Sequence, residues 1–252
     1  MSERVQLTID NHVATVRMSR PEKRNAINAQ MMQEVLDAFC ATPPESERVT
    51  VIRALGPVFC AGLQLSTDGV AQSEAERIES MFDAVQRYPL PVVAVVQGAA
   101  IAGGCELALH CDFIVAADDA PFAMPLAQLG VATTWFLTKK LMEFAGPTTT
   151  REFLLLGEAM NAARLHQLGI VTRAVPAEEL DSVASKLSDC LAANAPLAMR
   201  VMKEQILRHT QFMMDIEHGD IDPRVAAVYA SADALEGVSA RVERRSPNFH
   251  GS

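Results

Sequence analysis

Residues 99–112 read AAIAGGCELALHCD, and Glu106 is the sole carboxylate of the run before Asp112 closes it. Its neighbours are small and apolar, and burying an ionised carboxylate without a partner costs several kcal/mol even after relaxation. A glutamate so placed needs a partner or a task. Before the run, VVAVVQG (92–98) is a continuous β-branched stretch, the pattern of a strand covered on both faces of a sheet. After it, DFIVAA (112–117) reads as another strand, with AGGCELALHC turning helical between the two. Strand, short helix and strand in immediate succession place the chain in the α/β class.

Gly103 falls at the start of that helix, where N–H groups lack intrahelical partners and the dipole is positive. Glu106 follows three residues later on nearly the same face, and helical Cα–Cβ bonds tilt toward the N-terminus. Its carboxylate is expected to lean back over the Gly103 amide. A second glycine-marked turn, CAGL (60–63), also follows an expected strand. The N–H of Leu63, just after Ala61-Gly62, is expected to aim with that of Gly103 at one oxygen. A base beside such an oxyanion hole suits proton transfer at the carbon next to a carbonyl. Taken singly, each part also fits a structural role, since paired glycines mark close helix packing and a first-turn Glu serves as a cap.

Outward from there, residues 4–9 and 12–18 alternate around an Asp10-Asn11 break and predict a hairpin. RPEKRNAIN (20–28) is a polar loop, and Asn28 caps an expected helix over 29–40 with its apolar stripe on Met31, Met32, Val35, Leu36 and Phe39. VTVIRAL (49–55) predicts a strand, and a polar stretch after residue 66 leads to a helix near 72–87. Helix, strand and loop alternate to about residue 175. From about 177 the chain reads as helix, with Pro196 and Pro223 near helix starts and one helical run expected from Pro223 to the arginines at 244–245. The expected division is a core over 1–195 and a helical region over 196–252.

The 252 residues carry a formal charge of −9, which argues against general nucleic-acid binding. No apolar run reaches the ~18 residues of a membrane span, and the N-terminus lacks a signal-type apolar core. Five scattered cysteines without a CxxC pair point to reduced thiols and to no zinc, hence to a soluble, cytoplasmic protein. There is no Lys-Ser/Thr phosphate loop, GxGxxG or GxSxG. His110, one turn after Glu106, reads as structural, and Lys139-Lys140 and Arg244-Arg245 read as solvated pairs.

At these residues the sequence resembles the crotonase, or enoyl-CoA hydratase/isomerase, superfamily. RPEKRNAIN, GPVFCAGLQLS (56–66) and VVQGAAIAGGCELALHCDFIVAA resemble its CoA loop and two oxyanion segments, and PLAQLGV (125–131), ARLHQLGIVTRAVP (163–176), NAPLAMRVMKEQI (194–206) and RRSPNF (244–249) follow in the family's order. The resemblance implies a spiral of repeated ββα units with a C-terminal helical trimerisation region, in homotrimers or hexamers. It implies an acyl-CoA thioester held by Leu63 and Gly103, no metal or redox cofactor, and CoA present only as part of the substrate. Arg24, Ala26 and Ala61 match CoA-contacting positions, while Lys203 and Phe249 match positions near the nucleotide end.

Two departures stand out. Gln64 replaces the Asp of the family's A-G-x-D, and the second acid of hydratases is replaced by Leu126 in Pro125-Leu126. No acid stands at Ala132-Thr133-Thr134 either, and the next downstream is Glu143. The first expectation is hydratase chemistry with Glu106 alone. The alternatives are isomerisation, decarboxylation, thioester hydrolysis, or a catalytically silent acyl-CoA-binding protein. Segments around 66–82 and 132–145 are expected to line the acyl pocket, with Trp135 and Phe136 either narrowing it or belonging to the core.

Overall fold

The computed structural model describes residues 4–65 and 72–251, with the side chains of 72–75 left aside. The stretch over 66–71, expected as part of the acyl-pocket wall, lies outside the described residues.

The hairpin forms from β1 (Val5–Asp10) and β2 (Val13–Met18), turned by Asn11 and His12 at φ 46° and 69°. Helix α1 (Ala29–Cys40) starts where expected, because the Asn28 side chain accepts from the Met31 amide at 3.0 Å and its stripe is buried. Then come β3 (Val49–Ala54), α2 (Gln72–Arg87), β4 (Val92–Val96), β5 (Ala100–Ile101) and α3 (Gly103–Leu109). They are followed by β6 (Phe113–Ala117), β7 (Pro121–Ala123), α4 (Trp135–Arg151), β8 (Met160–Asn161), α5 (Ala162–Gln167) and β9 (Arg173–Val175).

Among the described residues, β1-β2-β3-β4-β6-β9 form one sheet, parallel throughout except for the β1–β2 hairpin. A smaller sheet, β5-β7-β8, turns away at the strand ends. The five residues of β4 are all buried, as their unbroken β-branched pattern requires. Valines on one face of the large sheet meet Leu180, Ala184 and Leu191, while the main core fills the other face.

The remaining helices are α6 (Leu180–Ala193), α7 (Pro196–Gln211), α8 (Asp222–Tyr229) and α9 (Ala232–Glu243). The single run expected after Pro223 is thus divided at Ala230–Ser231, where the Ser231 hydroxyl accepts from the Ala234 amide at 3.1 Å and starts a new helix. Helix α9 lies against the 127–130 turn: a Cβ on Gly237 would meet the Leu129 carbonyl oxygen at 2.3 Å. This contact carries the C-terminal tail back over the core.

Candidate active site

The two glycine-marked turns meet. Gly62 takes φ +88°, and a Cβ there would sit 2.9 Å from the Ile101 carbonyl oxygen and 3.2 Å from the Gly103 amide nitrogen. A Cβ on Gly103 would lie 3.5 Å from the Leu63 amide nitrogen. Neither the Leu63 nor the Gly103 amide has a hydrogen-bond partner among the described residues. Ala102, just before α3, holds φ 49° and ψ −115°, a strained conformation for a residue with a Cβ. Its amide donates to the Ala123 carbonyl at 2.7 Å and its carbonyl accepts the Glu106 amide at 3.0 Å, so both neighbours fix the strain in place.

The 20–28 loop is fastened to this region. Asn25, fully buried, donates to the carbonyls of Leu55 and Val58 at 2.8 Å each, and the Ala61 amide donates to the Arg24 carbonyl at 3.1 Å. Gln64, at the family's Asp position, accepts from the Arg20 guanidinium at 2.8 Å and so secures the same loop.

A cavity of about 420 Å³ opens on these turns. Ala61, Leu63, Gly103, Glu106, Leu126 and Phe249 all line it. Phe249 reaches it from the chain's own tail, held where the Asn248 amide donates to Glu236 and the His250 amide to Asp233. Arg24 and Ala26 are not on the wall and stand behind the Ala61 turn. Lys203 is elsewhere: buried, it donates to the Asp112 carboxylate at 2.6 Å and to the Leu90 carbonyl at 3.0 Å, tying α7 to the sheet.

Glu106 is 1% exposed, and neither carboxylate oxygen has a hydrogen-bond partner. Burial pushes its carboxyl well above the usual range, Lys140 pulls the other way, and the Glu79 charge adds to the rise. His110 is sandwiched between Phe82 and Phe136, with ring centroids 5.1 Å from each. Its Nδ1 lies 2.7 Å from the Glu106 carbonyl oxygen, a contact that calls for a proton on that nitrogen. Burial and then Lys140 hold His110 well below its ordinary pKa, so it is a neutral structural ring, as expected.

Lys139 and Lys140 are not solvated. Both are buried against Glu143, which bonds Lys140 at 3.0 Å and also pairs with Lys139. Glu143 is consumed in that cluster and does not line the cavity. Trp135 and Phe136 also stand off it, on a second cavity of about 520 Å³ next door.

The cavity wall also carries residues that sequence did not single out, among them Glu79, Thr134 as a polar group, and Tyr229. The one available signal for Glu79 was its place beside Ile78 in an Ile78, Met81, Phe82, Val85 apolar stripe, which puts it at the edge of the buried face of α2.

Two neighbouring amides beside a buried carboxyl without a hydrogen-bond partner, on an α/β spiral, are an arrangement suited to binding a carbonyl compound and moving a proton next to it. The family model for enoyl-CoA hydratase/isomerase matches residues 8–252, and the chain belongs to this crotonase superfamily of acyl-CoA-binding enzymes. It is 36% identical to a carnitinyl-CoA dehydratase of Proteus mirabilis over the whole of both chains. It is 31% identical to an enoyl-CoA isomerase/hydratase of Mycosarcoma maydis, over 93% of this chain and 91% of that one. Among solved structures, methylmalonyl-CoA decarboxylase superposes over the whole of both chains with a TM-score of 0.89 at 27% identity. An enoyl-CoA hydratase from Mycobacterium avium subsp. paratuberculosis superposes over 98% of each with a TM-score of 0.87 at 26% identity.

Proposed function

We propose that the protein adds water to a 2-enoyl-CoA thioester, and runs the reverse dehydration, through an enolate held by the Leu63 and Gly103 amides. The observation that carries this reading is Glu106: a buried carboxyl, without a hydrogen-bond partner, on the cavity wall one turn behind Gly103. Burial raises its affinity for a proton, which suits it to carry one to and from carbon. As water adds to the β-carbon, the double-bond electrons move to the thioester oxygen between the two amides. Collapse of that enolate takes the Glu106 proton onto the α-carbon, and the proton shed by the attacking water restores the Glu106 carboxyl. Ala61, on the cavity wall and bonded to Arg24 behind it, is the position placed to meet CoA.

The test is hydration of crotonyl-CoA, followed by loss of its conjugated absorbance. Turnover that falls by ~10²–10⁴-fold in Glu106→Gln supports the reading. Tight CoA-ester binding with no turnover across a thioester panel points instead to a silent binding protein.

A second reading, decarboxylation of a 2-carboxyacyl-CoA, draws on the likeness to methylmalonyl-CoA decarboxylase and on Leu126, where an acid is replaced. The breaking C–C bond would send its electrons to the same oxygen, CO₂ would leave, and Glu106 would protonate the carbon. Carbon dioxide release from such a thioester distinguishes it. The trimeric assembly of the family is supported here by the outward apolar residues Leu197, Val201, Met202 and Ile206 on α7, and light scattering checks it.

A further inference from the structure

We infer that Glu79 on α2 is the second proton-transferring carboxylate of this site, receiving the proton of the attacking water while Glu106 serves the α-carbon. The assignment rests on the hydration reading above. It fills the role left empty at Leu126 from a different wall of the cavity.

Placement comes first. Ile78, just before Glu79, covers Gly103: its Cδ1 lies 3.1 Å from where a Cβ on that glycine would stand. Phe82, three residues after, stacks on His110 of the turn that ends α3. Residues on either side of Glu79 therefore press α2 onto the helix that carries Glu106, and both carboxylates line the one cavity. Thr134 lines the same stretch of wall as Glu79, whose Oε1 is buried with no hydrogen-bond partner. That oxygen is free for water.

Supply comes next. Glu79, Thr134 and Tyr229 are shared between the substrate cavity and the second cavity, whose wall also carries Glu76, His218 and Asp222. The chamber, about 520 Å³, is roomy enough for water, and Glu79, His218 and Asp222 on its wall offer polar partners. Glu79 stands where that chamber meets the site of the thioester.

The two carboxylates are unequal. Glu106 is sealed and Glu79 is only partly buried, so of the two Glu79 is the better placed to carry the negative charge. In hydration the water oxygen bonds the β-carbon, its proton passes to Glu79, and the enolate oxygen is held by Leu63 and Gly103. Glu106 then protonates the α-carbon. The proton gained by Glu79 returns to the Glu106 carboxylate through water, leaving one water added and the site restored. Glu143 is excluded from either role by its two lysines.

The experiment compares Glu79→Gln, Glu79→Asp and Glu106→Gln in two assays: hydration of crotonyl-CoA, and exchange of the α-protons of butyryl-CoA in D₂O. Glu79→Gln is expected to lower kcat for hydration by ~10²–10⁴-fold with little change in KM, and to retain exchange. Glu106→Gln is expected to lose both. If Glu79→Gln hydrates at the wild-type rate, or loses both activities with no recovery in Glu79→Asp, the role of Glu79 is overturned. If the wild type exchanges α-protons but hydrates nothing, the hydration reading itself falls.

Discussion

The two halves of the cavity are built from different materials. One wall is backbone: the turns at 60–63 and 101–104 interlock so closely that Gly62 and Gly104 have no room or no free conformation to spare. The other is made of side chains from three separate elements, Glu106 on α3, Glu79 on α2 and Thr134 at the start of α4. On the proposed reading the backbone wall holds charge at a fixed place, with donors that belong to the main chain and to no side chain. The side-chain wall decides which proton moves. That division explains how relatives with this fold are named for hydration, isomerisation and decarboxylation.

The largest effect should come from Gly104→Ala. Its Cβ would meet the Cys60 carbonyl oxygen at 2.3 Å and the Cys60 Cβ at 2.7 Å, contacts with rigid atoms, so the two turns must part. Thermal melts and soluble yield are expected to show a failed or strongly destabilised fold.

Gly103→Ala separates function from folding. Its nearest contact is the mobile end of Ile78, so the melting temperature should barely change. The added methyl group crowds the Leu63 amide, and kcat should fall by ~10²–10³-fold, as for loss of one oxyanion donor.

Glu106→Gln breaks the other wall, and its signature lies in pH as well as rate. The folded-state pKa of Glu106 is raised above its ordinary 4.5, so its burial contributes stability that is fully present below that value. The stability is lost as pH rises through the raised pKa, by at most about 1.4 kcal/mol per pH unit. His110, the nearest titratable ring, runs the other way: its lowered pKa removes stability only as pH falls below about 6.5. Denaturant titrations from acid to alkaline pH should therefore show a decline in the wild type that Glu106→Gln lacks.

Thr134→Val sharpens the comparison with the smallest change. Removal of the α4 cap should cost about 1 kcal/mol in stability. Hydration should fall less than in Glu79→Gln, because the Glu79 carboxylate remains.

The backbone wall was legible in the sequence because it depends on local rules. Glycine at a strand end, a helix starting at once and a glutamate three residues on need no knowledge of distant neighbours. The β-branched runs gave the strands for the same reason. The reading failed where tertiary contacts decide. Lys139-Lys140 looked solvated, yet Glu143 one turn on lets both be buried. Glu79 looked like one more charge on a polar helix, and only the docking of Ile78 and Phe82 on α3 brings it to the site. The helical run after Pro223 hid a break that a serine cap at 231 signals in retrospect.

The central claim is that the backbone wall holds an enolate while Glu106 moves its proton. Proton NMR of butyryl-CoA in D₂O tests it most directly, since exchange at the α-carbon requires that enolate and no other step. The account predicts exchange by the wild type and its loss in both Gly103→Ala and Glu106→Gln, each still folded. Exchange that persists in Glu106→Gln, or none in a wild type that binds the thioester, would contradict it.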